Sequence, residues 1–439
     1  MARINTNISS IIAQNNLARS NEDLAVSLQR LSTGMRINRG ADDPAGLIVS
    51  ERLRSEMKGI DQAIDNSERA SSVIATAEGY LAEVADLLNS IKSLVVEASN
   101  TGGVSREEVE ANQLEIDSAI DSITRISNTA SFAGLQLLNG NLEYTTSGVN
   151  TSEISGALVK SAQFGGNSNM GIDVEIMQSA QTGSLFLDGN INGMNGVLAS
   201  SVTIEVAGNL GVQSISFVSG TSLSSVADAV NTLSDTTGVT ASLVDPTDGS
   251  SGLTFNSSGY GSDSFVSVRK IGAGGDEFQT FDAPGGNAIQ RDEGRDVAAV
   301  VNGVFAVGDG LEVSLNTPAI SLELDLTESF ATSAAGATSQ FSITGGGAQF
   351  QLGPSISAAQ NMGIGIQSVA ATRIGGTVAD GERFFLDSLK SGNDNGLLSG
   401  NFSNASDVLD NAITEISVLR GRLGAFERNT LQTNISSLQ

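Results

Sequence analysis

The sequence predicts an α+β protein: a long antiparallel helical rod built from both chain ends, coiled-coil-like in its seams, carrying a β-rich, Gly/Ser/Thr-rich central insertion. Three observations carry this expectation. Residues 44–100, 105–129 and 406–438 place apolar side chains at heptad-like intervals, whereas roughly 140–400 is rich in Gly, Ser, Thr, Asn and Val. The helical ends share one kind of seam, as segments that pack together do. The chain has 439 residues, room for two to four domains at ~100–200 residues each. The expected division is an N-terminal helix and linker over 1–43, a helical rod over 44–140 and 400–439, and a β-rich, surface-exposed region over 141–399. Two subdomains are expected in that last region, with a repeat-like unit at about 202–268.

The first helix uses Ile4, Ile8 and Ile11, then Leu17, Leu24, Leu28, Leu31 and Met35. From Leu17 the spacings of 7, 4, 3 and 4 read as an a/d seam. Gly34 and Gly40 end it, since glycine takes the left-handed conformation that follows many helices. Asp43 is placed to cap the next helix, with Pro44 at its first position and Leu47 and Ile48 opening the apolar face. Leu53, Met57, Ile60, Ile64, Ile74, Leu81, Leu88 and Val95 continue that face to about Ser99 with no internal proline. A helix over 44–99 is roughly 80 Å long at ~1.5 Å per residue, a length that rods need and few globular domains do. Ser67 and Ser71 fall on the seam and predict closer packing there.

Asn100-Thr101-Gly102-Gly103 is the expected turn, and Ser105 with Glu108 has the spacing of a capping box. Val109, Ile116, Ile120, Ile123 and Ile126 mark the returning helix. Phe132-Ala133-Gly134-Leu135 and Leu137-Leu138-Asn139-Gly140 read as a short hairpin or turn. In the middle, Val202–Val206 and Ile215–Val218 alternate as strands, Leu223 to Leu233 reads as one short helix, and Val239, Ala241, Leu243, Leu253 and Phe255 return to strand. Further strands are expected within 297–330 and 340–352, with Gly runs such as 344–347 as turns or loose loops. In the last segment Ser406 is the expected N-cap. Leu409, Ile413, Ile416, Leu419, Leu423 and Phe426 then form a seam that Leu431, Ile435 and Leu438 extend.

Composition narrows the function. The chain has no Cys, His or Trp. Without His there is no Ser-His-Asp triad and no imidazole metal site; without Cys there is no disulfide and no thiolate site. No catalytic, cofactor or metal residues are assigned. Apolar residues make up 39% of the chain, enough for folded cores. The net charge of −26 is unevenly spread. Residues 1–60 hold eight Lys/Arg against six Asp/Glu, whereas 141–400 hold eight against 26. An acidic middle repels phosphate backbones, so nucleic acid is not an expected partner. No apolar run approaches the ~18–20 residues of a membrane span, and Met1–Asn7 has no apolar core of a secretory signal. The expectation is therefore no membrane partner, with cytoplasmic residence or export without a cleaved signal.

Several local patterns have bland readings. Ser55-Glu56-Met57-Lys58 fits a Ser-x-x-Lys pattern but sits mid-helix with no companion motif, so a solvated face is the expectation. Asp245, Asp248, Asp276, Glu277, Asp292, Glu293 and Asp296 lack calcium-loop spacing and read as acidic loops. Gly272-Ala273-Gly274-Gly275 lacks the lysine and following helix of a phosphate cradle. Arg420, Arg422 and Arg428 read as surface charges or contacts between copies, worth ~0–1 kcal/mol per exposed pair.

Taken together, Arg3-Ile4-Asn5-Thr6-Asn7, Ser27-Leu28-Gln29-Arg30-Leu31-Ser32-Thr33-Gly34, Arg36-Ile37-Asn38 and Asp42-Asp43-Pro44-Ala45-Gly46-Leu47 resemble bacterial flagellin. Ala77-Glu78-Gly79-Tyr80-Leu81, Phe132-Ala133-Gly134-Leu135 and Leu423-Gly424-Ala425-Phe426 are similar to later motifs of that family. The resemblance covers about 1–140 and 400–439. Val202–Val268 also looks like the insertion repeat of flagellins and hook-associated proteins.

The resemblance implies a filament subunit exported unfolded through the flagellar type III apparatus and working outside the cell. Its partners would be copies of itself, the export apparatus, and cap and junction proteins. It implies an assembly seam of Ile4, Ile8, Ile11, Leu17, Leu24, Leu28 and Leu31 that orders on polymerisation. Rod packing would fall to Leu53, Met57, Ile60, Ile64, Ile74, Leu81, Leu409, Ile416, Leu423 and Phe426. Family members continue past the Leu423-Gly424-Ala425 region with a helix that pairs with the first one and carries the export chaperone's docking segment. This sequence stops at Gln439, so Ile4, Ile8, Ile11 and Leu17 are expected to lack that partner. An innate immune receptor reads some flagellins at the stretch matching Leu88-Asn89-Ser90-Ile91-Lys92-Ser93-Leu94. Ser90 stands where receptor-active members have Arg, and Ser replaces neither the forked hydrogen bonds nor the packed stem of Arg. Weak activation is the expectation. Hook–filament junction proteins share the terminal coiled coils, but the Arg36-Ile37-Asn38 and Asp42-to-Gly46 motifs favour flagellin proper. An adhesin-like role of the acidic middle stays open. An enzyme embedded there has neither His nor a clustered acid motif to support it.

Overall fold

The computed structural model describes residues 7–164, 169–190, 195–272, 274–275, 278–357, 360–379 and 382–439. It is an α+β fold with an N-terminal helical region and several antiparallel sheets.

Local chemistry sets the helix ends. α1 (Ile8–Thr33) starts where the Asn7 side chain accepts the Ser10 N–H at 3.2 Å, and stops at Gly34, whose φ of 67° suits glycine. α2 (Pro44–Ala98) is one 55-residue helix. Its first turn is closed by Asp43, which accepts the Gly46 N–H at 2.9 Å. α3 (Arg106–Thr129) opens with the capping box that the spacing predicts. Ser105 Oγ accepts the Glu108 N–H at 3.3 Å, and Glu108 accepts the Ser105 N–H at 2.7 Å. That backbone donor holds the Glu108 carboxyl below its ordinary range. β1 (Ser131–Phe132) and β2 (Leu135–Gln136) form a tight hairpin with Phe132 paired to Leu135. Its two turn residues, Ala133 and Gly134, both have positive φ.

Strands dominate from Tyr144 onward. In order come β3 (Tyr144–Ser147), β4 (Ile154–Ala162), β5 (Met170–Gln178), β6 (Ser184–Leu187), β7 (Val202–Gly208) and β8 (Val212–Phe217). Two short helices follow, α4 (Leu223–Asn231) and α5 (Ser234–Thr237), and then β9 (Val239–Asp245), β10 (Asp248–Ser257) and β11 (Phe265–Ile271). The next strands are short: β12 (Thr280–Phe281), β13 (Arg291–Glu293), β14 (Ala298–Val301), β15 (Val304–Phe305) and β16 (Val307–Asp309). β17 (Glu312–Asn316), β18 (Ile320–Leu326), α6 (Glu328–Ala331) and β19 (Thr338–Gly346) complete the region.

These strands build two cores. Sheets ordered β15-β14-β5-β19-β3 and β16-β17-β18-β4 enclose Ile172, Val174, Ile176, Leu322, Leu324 and Phe341. Sheets ordered β12-β6-β10-β9 and β13-β11-β7-β8, with α4 against them, enclose Leu187, Ile204, Val226, Val230, Phe255 and Val266. The alternation in β7, with every second residue buried, is the pattern of a half-buried strand. Of residues 344–347, expected as turns or loose loops, Thr344 to Gly346 instead end β19 with a bulge between Ile343 and Gly345, and Gly347 is the bend that follows. Glycine is needed there, because a Cβ on Gly346 would meet the Glu143 carbonyl oxygen at 2.2 Å.

The C-terminal segment is α7 (Phe402–Phe426), a π-helical turn over Glu427–Gln432, and α8 (Thr433–Leu438). Ser406, expected as the N-cap, lies one turn inside α7, because the helix already starts at Phe402 with the Asn401 carbonyl accepting the Ala405 N–H at 3.0 Å.

The chain divides into two compact units: the described residues of Met1–Ser72 with Phe350–Asn361 and Ala425–Gln439, and Val73–Gln349 with Met362–Gly424. In the first, Asn434 Nδ2 donates to Ser67 Oγ at 3.0 Å and to the Leu352 carbonyl at 2.8 Å, and Asn66 donates to the Gln351 carbonyl at 3.3 Å. In the second, Lys92 pairs with Asp410, and a Cβ on Gly424 would meet Glu78 Oε1 at 3.0 Å. As position rises in α2 it falls in α7, so these two stretches run antiparallel.

Candidate assembly surface

α1 is 26 residues long and buries none of them. Its apolar side chains are nonetheless large: Ile8, Ile11, Ile12, Leu17, Leu24, Leu28 and Leu31 are all exposed, Leu31 by 81%. Ile4 lies outside the described residues. At 3.6 residues per turn, Leu17, Leu24, Leu28 and Leu31 fall within about 60° of one another, while Ile8, Ile11 and Ile12 lie on roughly the opposite side. The single seam expected over 4–35 is therefore two stripes, because the step from Ile11 to Leu17 breaks the heptad. A helix that is apolar on more than one side needs cover on more than one side. Scattered exposed apolar residues are ordinary on a protein surface; a continuous set along a whole helix marks an interaction site.

The linker after α1 is well bonded. Asp42 Oδ2 accepts the N–H groups of Asn38 and Arg39, both at 2.9 Å, and these bonds hold its carboxyl below the ordinary range. Arg36 Nη2 reaches Asp43 Oδ2 at 3.3 Å, while the other Asp43 oxygen caps α2. Gly46 has no room for a side chain, since a Cβ there would meet Asp43 Oδ2 at 2.4 Å. The Arg-x-x and Asp-Asp-Pro-x-Gly pattern thus builds one defined joint ahead of α2.

The apolar exposure resumes at the start of α2 with Ile48, Val49, Leu53 and Met57. Leu53 and Met57, expected in rod packing, are 55% and 65% exposed and pack against nothing that buries them. Ile60, Ile64 and Phe426 are half-buried. Ile74, Leu81, Leu409, Ile416 and Leu423 are fully enclosed. Apart from Val73 beside Ile74, the buried positions of α2 run Ala63, Ser67, Ala70, Ile74, Ala77, Leu81, Val84, Leu88, Ile91, Val95 and Ala98, in steps of 4 and 3. One line of this seam is thus mostly alanine, and Ile64 sits one position away from it. Ile12 and Val49 are exposed apolar residues that the seam pattern had passed over; each adjoins a predicted seam residue, and that adjacency was the available signal.

In the stretch Leu88 to Leu94, Leu88 is buried, Asn89 and Ser90 are exposed, and Lys92 and Leu94 are half-buried. Arg420 and Arg428 are exposed, but Arg422 is not the surface charge expected of it. Its Nη2 donates to the Gly365 carbonyl at 2.7 Å, and burial pushes its pKa down. Ser55 and Lys58 are exposed within α2. The acidic loop residues bond locally: Asp245 accepts from Thr247, Asp248 from Ser250, Asp292 from the Ser184 N–H, and Asp296 from Ser262 and Gly310. Glu293 pairs with Arg291 at 3.0 Å. Asp276, Glu277 and Ala273 lie outside the described residues. Among the described residues no helix is long and apolar enough to cross a membrane.

A bonded linker is flanked by apolar helix faces that nothing covers among the described residues, and it leads into regions that carry their own cores. Residues 4–143 match the bacterial flagellin N-terminal helical region, and residues 201–259 match the flagellin hook IN motif. The chain is 34% identical over 202 residues to flagellin of Bacillus subtilis, covering 46% of this chain and 66% of that one. It is 40% identical over 137 residues to polar flagellin F of Vibrio parahaemolyticus, covering 31% and 36%. With the flagellar filament 33 kDa core protein of Treponema phagedenis it shares 38% over 148 residues, covering 34% and 51%. The matches thus span between about a third and two thirds of the length of these relatives. Among solved structures, FlgL of Xanthomonas campestris is 11% identical, covering 88% of this chain and 95% of that chain at a TM-score of 0.29, a loose likeness. The chain belongs to the flagellin family, a family of structural proteins.

Proposed function

We propose that this chain is a structural subunit that self-assembles into the bacterial flagellar filament, with α1 and the start of α2 as its assembly surface. The observation that carries the reading is α1: a 26-residue helix with exposed Ile and Leu on two sides and no buried residue. Copies stacked in a screw can cover both stripes, which is what a heterologous, non-closing interface produces. In this reading 1–43 is the polymerisation helix and linker. Residues 44–140 and 400–439 form the coiled-coil-like rod, and 141–399 is the variable region facing solvent. The subunit works outside the cell, leaves it through the flagellar export apparatus without a cleaved signal, and meets cap and junction proteins at the filament ends.

The test is seeded polymerisation of the full chain, scored by pelleting and negative-stain microscopy. Burying one leucine is worth about 1.5–3 kcal/mol, so Leu28→Asp should raise the critical concentration by more than about tenfold. Val244→Asp, on an exposed residue of the central region, should leave it unchanged. Normal pelleting of Leu28→Asp would remove the assembly role of α1.

Recognition by the innate immune receptor is proposed to be weak, because the exposed Ser90 offers no guanidinium. A reporter-cell assay should show low potency for this chain and a gain for Ser90→Arg. Full potency with no gain would contradict it.

A further inference from the structure

The two sheets around Phe255 end in four edge strands, β12, β9, β13 and β8. An edge presents unpaired N–H and C=O groups to any strand that approaches, and folds usually blunt it with charge, shortness, a bulge or a covering group. Three of these edges are blunted. β12 is two residues long, and β13 is the charged triplet Arg291-Asp292-Glu293. β9 is longer, but the Asn231 amide lies against it like a piece of strand. Asn231 Oδ1 accepts the Ala241 N–H at 2.7 Å, and its Nδ2 donates to the Ala241 carbonyl at 2.9 Å.

β8 has none of these devices. It is six residues long, pairs with β7 without a bulge, and no charged residue lies between Glu205 and Asp228. The turn sets the phase of its ladder. The Gly208 N–H donates to the Gly211 carbonyl at 3.0 Å, so Gln213, Ile215 and Phe217 bond inward to β7. Val212, Ser214 and Ser216 therefore turn their N–H and C=O groups outward. Among the described residues no hydrogen bond outside the β7 ladder reaches these groups. α5 packs at the turn end, where a Cβ on Gly211 would meet the Thr236 carbonyl oxygen at 2.6 Å. The side chains of Val212, Ser214 and Ser216 are exposed, as are Leu210 and Val218 beyond the two ends of the strand.

We propose that β8 pairs antiparallel with β8 of a second copy of this chain, about a two-fold axis at Ser214, so that two four-stranded sheets become one. The edge itself selects this occupant. Free groups recur at every second residue, and a register centred on Ser214 sets Ser214 opposite Ser214 and Val212 opposite Ser216, each pair exchanging its outward N–H and C=O groups. The same register carries Leu210 of each copy towards Val218 of the other, which covers the exposed apolar residue at each end. An isologous contact requires this kind of self-complementarity, in which residue i meets j and j meets i. Charge points the same way. Copies that each carry −26 approach with least repulsion where neither presents a charge. Glu205, opposite Ser214 on β7, is paired with Arg269 on its other side. This contact does not use α1. A screw of like-oriented copies has no two-fold axis between neighbours, so β8 joins free chains, or chains of adjacent filaments.

The chain has no cysteine, so a single introduced thiol reports a single position. The experiment is mild oxidation of the full chain carrying Ser214→Cys, run beside Thr240→Cys, an exposed position on β9 next to the Asn231 block. Directly paired Cα atoms lie about 5.5 Å apart, inside the ~4.4–6.8 Å range that a disulfide spans. Ser214→Cys should reach twice the single-chain mass at least about tenfold faster than Thr240→Cys, because held thiols react at a raised effective concentration. Val212→Cys and Ser216→Cys should each stay single, since like positions sit four residues out of register, about 13 Å at ~3.4 Å per residue. Mixed together, those two chains should crosslink. Equal rates at 214 and 240, or no gain on mixing, overturn the proposal. The Ser214→Cys crosslink should also persist in a chain carrying Leu28→Asp, so failure of α1 assembly and failure of β8 pairing are read separately. Loss of the crosslink in that chain overturns the proposal, because the contact would then be a by-product of α1 assembly.

Discussion

Gln113 shows how one polar side chain can organise a junction. It is 2% exposed, on α3, and uses both ends of its amide. Nε2 donates to the Leu389 carbonyl at 2.9 Å and to Asp117 at 2.8 Å, while Oε1 accepts the Leu397 N–H at 2.6 Å. Asp117 in turn accepts the Ser391 N–H at 2.9 Å. Gln113→Leu keeps the volume but leaves the Leu389 and Leu397 backbone groups buried without a partner, each costing ~1–3 kcal/mol. A loss of about 2–5 kcal/mol in urea unfolding is expected; a change under ~0.5 kcal/mol would mean water already serves those groups. Neither this residue nor Arg422 was legible in the sequence. A glutamine in a heptad and an arginine near a chain end both look like solvated surface, and only the fold brings Leu389, Leu397 and Gly365 to them. The alanine line of α2 was hidden for a related reason. Seam reading follows large apolar residues, so Ile64 drew the eye one position from Ala63, and Ala70 and Ala77 gave almost no signal.

Elements were more legible where the signal is covalent or local. The Ser105/Glu108 box, the Asp43-Pro44 start and the left-handed Gly34 act within one turn of backbone, and each falls where the spacing places it. The hairpin at Phe132–Leu135 and the helix at Leu223–Asn231 between strand pairs were readable for the same reason. Sheet order was not. β5 lies between β14 and β19, and β4 pairs with β18, some 160 residues away, and alternation alone names no partner. Ser406 misled because Ser is a good cap anywhere, while α7 begins a turn earlier, directly after Asn401, an equally good capping residue type. The exposure of α1 was legible in part. Its apolar residues were named, but the phase break after Ile11 turns one expected seam into two stripes.

The molecule as a whole distributes its stability unevenly. Two β cores enclose their own apolar residues and α2, α3 and α7 each bury a line of theirs, whereas α1 buries none. Its helix rests on propensity alone, and Ser9, Ser10, Asn15, Asn16, Ser20, Asn21 and Ser27 are weak formers. Such a segment is marginal in water even at 26 residues, because nucleation is costly and no packing offsets it. Amides of 8–33 should therefore exchange almost freely in the dilute, unassembled chain, while those around Leu88 and within β18 stay strongly protected. In the proposed assembly neighbouring copies cover both stripes, so polymerisation should slow exchange in 8–33 by a hundredfold or more, on the order of 3 kcal/mol of added local stability. The comparison is best made near ~0.15 M salt, where the Debye length of about 8 Å screens repulsion between copies that each carry a charge of −26. Equal protection of 8–33 before and after assembly would mean that α1 is held by its own chain, and its exposed leucines would then need a different explanation. A rise confined to Leu17–Leu31 would show that only one stripe is covered by neighbouring copies, leaving Ile8, Ile11 and Ile12 for a partner of another kind.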